Sequence, residues 1–383
     1  MSVFTRQKSV FDVFLAAAFL AAFVVSGVTA EETLNGPSNY SDTELQKLIE
    51  QLGASRYQER EDATSRLVSI GIPAKGHVQA ALEHADLEIR SRCEGIFDEI
   101  VLREREHMMI EFLSGTISAE NLPGWSTFVS IAGDPEQAKP LFARMLESEW
   151  EFIEDVVDVN DENTVAVASE NASRYLANRV NMIQLSLRSP SSRLTEGTLC
   201  ALLFAASFPD VDLSMSNSLF PICSHGERYL IGENREVFSA LLSRVVLKPQ
   251  SDYTLATRLH FCARYGLAEG VQLAREVVSN VATRSFIRQQ GILLIARFGN
   301  LADDQQTLDK LLADSTAAIG SSSVQIRDVA LAALIHLNGE NPIDYGFKST
   351  VRSSDAVFVV NTLGFDSEQD RVAAFEKWVA RRK

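Results

Sequence analysis

Ile326-Arg327-Asp328-Val329-Ala330-Leu331-Ala332-Ala333-Leu334 sets an Ile-Arg pair before a small residue at the fifth position and a bulky apolar residue at the ninth. The same arrangement occurs 39 residues earlier, in Ile287-Arg288-Gln289-Gln290-Gly291-Ile292-Leu293-Leu294-Ile295. It occurs again as Ile89-Arg90-Ser91-Arg92-Cys93-Glu94-Gly95-Ile96-Phe97. Residues four and eight positions apart lie along one face of a helix. A small residue in the middle of that face lets a neighbouring helix approach closely. The spacing of the last two copies is close to the roughly 40-residue period at which helix pairs stack. The pattern therefore predicts an all-α chain of antiparallel helix pairs, an α-solenoid. Its signature positions (Ile89, Arg90, Cys93, Ile287, Arg288, Gly291, Ile326, Arg327 and Ala330) are expected to be structural.

Working outward, a second echo links Cys262-Ala263-Arg264-Tyr265-Gly266 to Ile295-Ala296-Arg297-Phe298-Gly299, an offset of 33. Each reads as a helix end with glycine after the last turn. At the start of the array, Ser41 or Asp42 should cap a helix with Leu45, Leu48, Ile49 and Leu52 inward. A second helix from Ser55, with Tyr57, Ala63, Leu67 and Val68 inward, should close at Gly71. A third should run from Ala74 to His84, and Asp86 should cap a fourth reaching Glu111. In the middle, Asp134-Pro135 opens a helix carrying Ala138, Leu141, Phe142, Met145 and Ile153. Thr195–Ala206 and Glu236–Val246 follow as helices. The stretch Phe208–Pro221 reads as the longest loop, the kind of segment where function concentrates. After Asn341-Pro342, an extended segment should reach Phe365. A terminal helix from Ser367 to Arg381 should present Val372, Phe375, Trp378 and Val379 inward as a cap.

The N-terminus is expected to be an address. Arg6 and Lys8 precede a run of sixteen largely apolar residues, Val13–Val28, and Val28-Thr29-Ala30 offers the small residues of a cleavage site before Glu31. The run is shorter than the roughly 20 residues that span a bilayer. The expected product is a cleaved chain beginning at Glu31, exported to the periplasm or beyond the bacterial cell envelope. Membrane contact is expected only if the segment stays uncleaved. Loss of residues 1–30 removes Arg6, Lys8 and Asp12, so the net charge of −15 becomes −16. Such a surface repels phosphate backbones, which argues against nucleic acid as a partner. With 46% apolar residues and ten prolines, the chain is composed like an ordered protein.

These motifs resemble HEAT-repeat proteins, and especially the exported HEAT-like proteins of unknown function found in planctomycete bacteria. The resemblance rests on Leu45–Gly53, Tyr57–Thr64, Ile89–Cys93, Leu122-Pro123-Gly124-Trp125, Val324–Leu337, and Asp344-Tyr345-Gly346-Phe347 with Trp378. It implies a HEAT-like α-solenoid with a C-terminal capping segment and helix. On that reading, 1–30 is a signal peptide and 31–41 a flexible leader. HEAT-like repeats occupy 42–111 and 251–345, a degenerate helical region 112–250, and a cap 346–383. Members often carry an Asp and an Arg that hydrogen-bond along the stack, a role that Asp86 and Arg90 fit, whereas Arg284 and Ser323 stand where other acids would be. The family brings no catalytic residue to transfer.

No phosphate loop, nucleophile elbow or His-Glu-x-x-His motif occurs, and the His-Glu dipeptides of iron-binding HEAT enzymes are absent. Cys223-Ser224-His225 groups a thiol, a hydroxyl and an imidazole, but neighbours in sequence rarely point at one another. Asp158–Asn163 begins like a calcium loop, without its glycine and with Ser169 where the bidentate glutamate belongs. The wider run from Glu147 to Asn163, with Glu149, Glu154, Asp155 and Glu162 among its acids, reads as a solvated acidic helix end and loop. The four cysteines lack metal spacing. Cys93 and Cys262 read as core residues, and a Cys200–Cys223 bridge is the one pairing an oxidising compartment would offer. The expectation is a non-catalytic scaffold that binds a protein or peptide, without cofactor or metal. Two alternatives stand beside it: an enzyme with a site assembled in the solenoid groove, and an envelope-associated structural protein held by its N-terminal segment.

Overall fold

The computed structural model describes residues 40–382, apart from 119, 121, 156–161, 187–193, 214–217, 249–253, 318–323 and 352–354. Among the described residues there are 17 helices and no strand, with one isolated antiparallel bridge between Ala317 and Gln325. The chain divides into two compact units, Met1–Asn121 and Leu122–Lys383.

In the first unit, α1 (Asp42–Gln51) opens with a capping box in which Ser41 accepts from the Glu44 amide and Glu44 accepts from the Ser41 amide. α2 (Tyr57–Ile70) ends at Gly71, whose φ of 68° suits glycine. The expected helix from Ala74 to His84 is cut down to α3 (Lys75–Ala80) between two 3-10 turns. α4 (Leu87–Ser114) is capped by Asp86, which accepts from the amides of Glu88 and Ile89. Leu45, Ile49, Leu67, Val78, Ile89, Cys93 and Ile96 share one core. Tyr57, expected inward, is 63% exposed. As the first residue of α2 it projects beyond the packed turns, with the Arg60 guanidinium 5.7 Å from its ring.

The second unit begins with α5 (Trp125–Ala132), α6 (Pro135–Asp155) and α7 (Glu162–Ser186). They gather with α11 (Arg235–Leu247) around α8 (Glu196–Ser207). Every residue of α8 from Gly197 to Ser207 is buried, as an all-round apolar helix requires. Gly197 carries no positive φ; a Cβ there would fall 1.9 Å from the Arg144 carbonyl oxygen, so glycine permits the contact with α6. α6 is kinked at Glu149, where the backbone turns to φ −145° and ψ 42°. The expected Phe208–Pro221 loop is shorter, because α9 (Leu219–His225) takes its last residues.

Beyond the short α10 (Glu227–Leu230) come α12 (Leu255–Tyr265), α13 (Val271–Ser279), α14 (Ser285–Phe298), α15 (Leu301–Leu311) and α16 (Ile326–Leu337). α13 packs on α14 and α15 on α16, while α12 meets α14 and α14 meets α16. Gly266 ends α12 at φ 72°. Gly299 ends α14 in extended backbone and is glycine for space, since a Cβ would sit 2.3 Å from Asp304 Oδ2.

The tail corrects two expectations. Residues 342–362 hold 3-10 turns at Pro342–Tyr345 and Val360–Thr362 in place of a continuous extended run, with Tyr345, Phe347, Phe358 and Leu363 buried. The terminal helix α17 (Glu368–Arg381) buries Arg371, Ala374 and Trp378, leaving Val372 47% and Val379 53% exposed. Trp378 is inward as expected, but Val372 and Val379 are not, and the inner side is instead completed by Arg371, which reaches the fully buried Asp328 through two hydrogen bonds of 2.8 and 3.2 Å.

Candidate functional site

The signature residues lie on α4 in the first unit and on α14 and α16 in the second. Ile89, Cys93, Ile287, Ile326 and Ala330 are core residues. Gly291 is buried at the crossing of α13 and α14, where a Cβ would lie 2.9 Å from Val278 Cγ2 and 3.3 Å from the Ala274 carbonyl oxygen. Arg90 is half-buried on α4. Arg288, almost wholly buried, donates to the Val278 carbonyl at 3.3 Å and to Asp314 at 2.7 Å. Arg258 does the same with the Val246 carbonyl at 2.6 Å. Val246 and Val278 are the next-to-last residues of α11 and α13, so each guanidinium caps the negative end of a neighbouring helix. Arg327 stays nearer the rim and pairs with Glu368 at 2.9 Å. The acids that these arginines use come from other helices and loops, not from an Asp-Arg ladder at helix starts. Ala30 and Glu31 lie outside the described residues. So do Asp158–Asp161 of the calcium-like stretch, and the side chains of Glu162 and Asn163 are not described either; Ser169 is buried on α7.

The thiols are quiet. All four cysteines are buried and free, so Cys200 and Cys223 are unbridged. Burial pushes Cys93 up to about 11 and Cys223 and Cys262 up to about 12. A thiol held that high is protonated at neutral pH and is a poor nucleophile. Within Cys223-Ser224-His225, the Ser224 hydroxyl donates to the Phe220 carbonyl on its own helix and His225 is exposed.

A polar knot lies at the α6 kink and corrects the reading of Glu149 as solvated, because its side chain is only 8% exposed. Glu149 accepts from Arg179 Nε at 3.0 Å and Nη2 at 2.5 Å, and from the Thr198 hydroxyl at 2.8 Å. Burial, then the nearby Glu149 charge, pushes the Tyr175 phenol well above its ordinary value, and Phe152 stacks on that ring at 3.9 Å. Thr195 caps α8 by accepting from the Thr198 amide at 3.0 Å. The knot ties α6, α7 and α8 together with one carboxylate. A second missed group is Lys248, lowered to about 8 by burial while its ammonium donates to the Phe208 carbonyl. No local signal marked either one, since their partners are distant in sequence.

Among the described residues, two open grooves lie in the second unit. One, of about 540 Å³, runs along α9 and α12 and is lined by Phe220, Pro221, Ser224, Thr254, Thr257 and His260 among others. The other, of about 390 Å³, follows α17, with Val372, Phe375 and Val379 beside Glu368, Glu376 and Arg327. Among the described residues, no three His, Cys, Asp or Glu side chains are placed to hold a metal ion. Nor is any helix among them long and apolar enough to cross a membrane. The chain matches no described protein family, no curated protein and no solved structure.

Proposed function

We propose that the chain is an exported, non-catalytic α-solenoid of the HEAT type that acts as a scaffold for a protein or peptide partner. The observation that supports this reading most is the packing of α12 to α16. α13 packs on α14 and α15 on α16, α14 also meets α12 and α16, and Gly291 supplies a close crossing at a signature position. Packing of that kind uses one face of each helix for the stack and leaves the other for binding. The groove along α9 and α12 suits an uncharged peptide segment, because it offers Ser224, Thr254, Thr257 and His260 beside Phe220 and Pro221. The apolar run before Ala30 supports export on the same reading.

Affinity capture from the host's envelope fraction tests it, with wild type and Thr257→Arg as paired baits. Wild type should retain a specific protein in near-stoichiometric amount. Thr257→Arg should lose it while keeping the same circular dichroism. If neither bait enriches any protein over a blank column, the scaffold reading fails.

A further inference from the structure

Three basic side chains stand at the same place in three helices of the second unit. Arg264, Arg297 and His336 are the next-to-last residues of α12, α14 and α16. α12 meets α14 and α14 meets α16, and the C-terminal end of a helix favours a basic group. Arg297 also donates to the Ala263 carbonyl at 2.7 Å, which joins its helix end to that of α12. One short stretch of the tail touches all three. Arg264 Nη1 meets both carboxylate oxygens of Asp355, at 3.0 and 3.1 Å. Arg297 donates to the Asp355 carbonyl. The Phe358 ring stands edge-on to His336, with 5.5 Å between centroids. We propose that the ends of α12, α14 and α16 form a recognition surface for a short peptide segment bearing an acid and, three residues on, an aromatic ring. The chain's own Asp355–Phe358 fills this surface in cis, and a partner protein's segment of the same chemistry takes its place by exchange.

The other partners of the two arginines make the occupant exchangeable. Arg264 Nε also donates to Glu227 of α10 at 2.8 Å, and Arg297 keeps the Ala263 carbonyl. Each guanidinium therefore retains an acceptor when Asp355 leaves, and no uncompensated charge is created. The acid contact is also open to water, with the Arg264 and Asp355 side chains 35% and 29% exposed, so it holds less firmly than a buried pair. Phe358 is the anchor, since it is 1% exposed. An acid alone would leave the place of that ring empty, which is why the incoming segment needs an aromatic residue at the same spacing.

The inference does not rest on the groove along α9 and α12. Anisotropy titration of the full chain with a fluorescent peptide of residues 355–363 tests it. A chain opened by Asp355→Ala with Phe358→Ala should bind the peptide saturably. Wild type should bind it about tenfold more weakly, or less, because only chains whose own segment has left can accept it. Adding Arg264→Gln to the opened chain should weaken binding about tenfold through loss of a charge-assisted hydrogen bond. Phe358→Ala within the peptide should abolish it. Asp355→Asn gives a second reading that leaves Phe358 in place. Hydrogen exchange of that full chain should be faster at residues 355–363 and unchanged in α12, α14 and α16. The proposal is overturned if the opened chain keeps wild-type circular dichroism yet ignores the peptide, or if wild type binds it equally well. It is also overturned if Asp355→Asn loosens the three helices together with the tail. A wild-type dimer in sedimentation that Asp355→Asn dissolves would make the occupant a second copy and overturn the cis assignment.

Discussion

At the scale of single residues, the signature pattern separates what packing decides from what charge decides. Its apolar and small members were legible because a helix face is a local property, and Ile326 and Ala330 are buried as that face requires. Ile326→Ala should cost about 2–5 kcal/mol through the cavity it leaves. Ala330→Leu should cost about 1–3 kcal/mol by overfilling the contact. Urea unfolding measures both, and an unchanged midpoint for both would remove the packing role. The arginines were not legible in the same way. Arg288 and Arg327 follow identical isoleucines, yet one is buried on an acid 26 residues away and the other meets an acid 41 residues away near the surface. Arg371 finds Asp328 at a separation of 43 residues. Nothing within a single helix encodes such pairings.

Among the helices, α8 shows what an apolar run can and cannot say. Leu199 to Ala206 is apolar without interruption, which marks a central helix. The kink that accommodates it in α6 left no mark, because Glu149 takes its partners from α7 and α8, 30 and 49 residues on. Gly197 is the test of that fit. Gly197→Ala drives a Cβ into the backbone of α6 and should lower stability by about 1–3 kcal/mol or more. The matching change in open space, Gly76→Ala on α3, has no atom to strike and should be neutral or slightly stabilising. Equal effects at the two sites in denaturant titrations would show that the α6–α8 approach is not as tight as described. The same lesson holds for α17, where hydropathy placed Trp378 inward correctly but not Val372 and Val379, because Arg371 is drawn in to the buried Asp328.

For the molecule as a whole, composition and periodicity were enough for the all-helical class, since both are sums over many residues. The proposed binding groove was less legible, because it is made of ordinary residues such as Thr257 whose meaning depends on what they are placed beside. The proposed destination can be checked directly. Protein recovered from its natural host should begin at Glu31, as read by N-terminal sequencing. A membrane-extracted chain that retains Val13–Val28 would replace export by anchoring.

The arginines that close the ends of α11 and α13 also act as a guard on alignment. Sliding one helix past its neighbour by a single turn moves it about 5.4 Å, a shift that apolar side chains tolerate by repacking. A guanidinium moved that far loses its carbonyl acceptor while it stays buried, which costs free energy. Arg258 and Arg288 stand at successive joints, so each joint rejects a slipped arrangement on its own. An error made at one joint during assembly is then confined there and not handed on along the row.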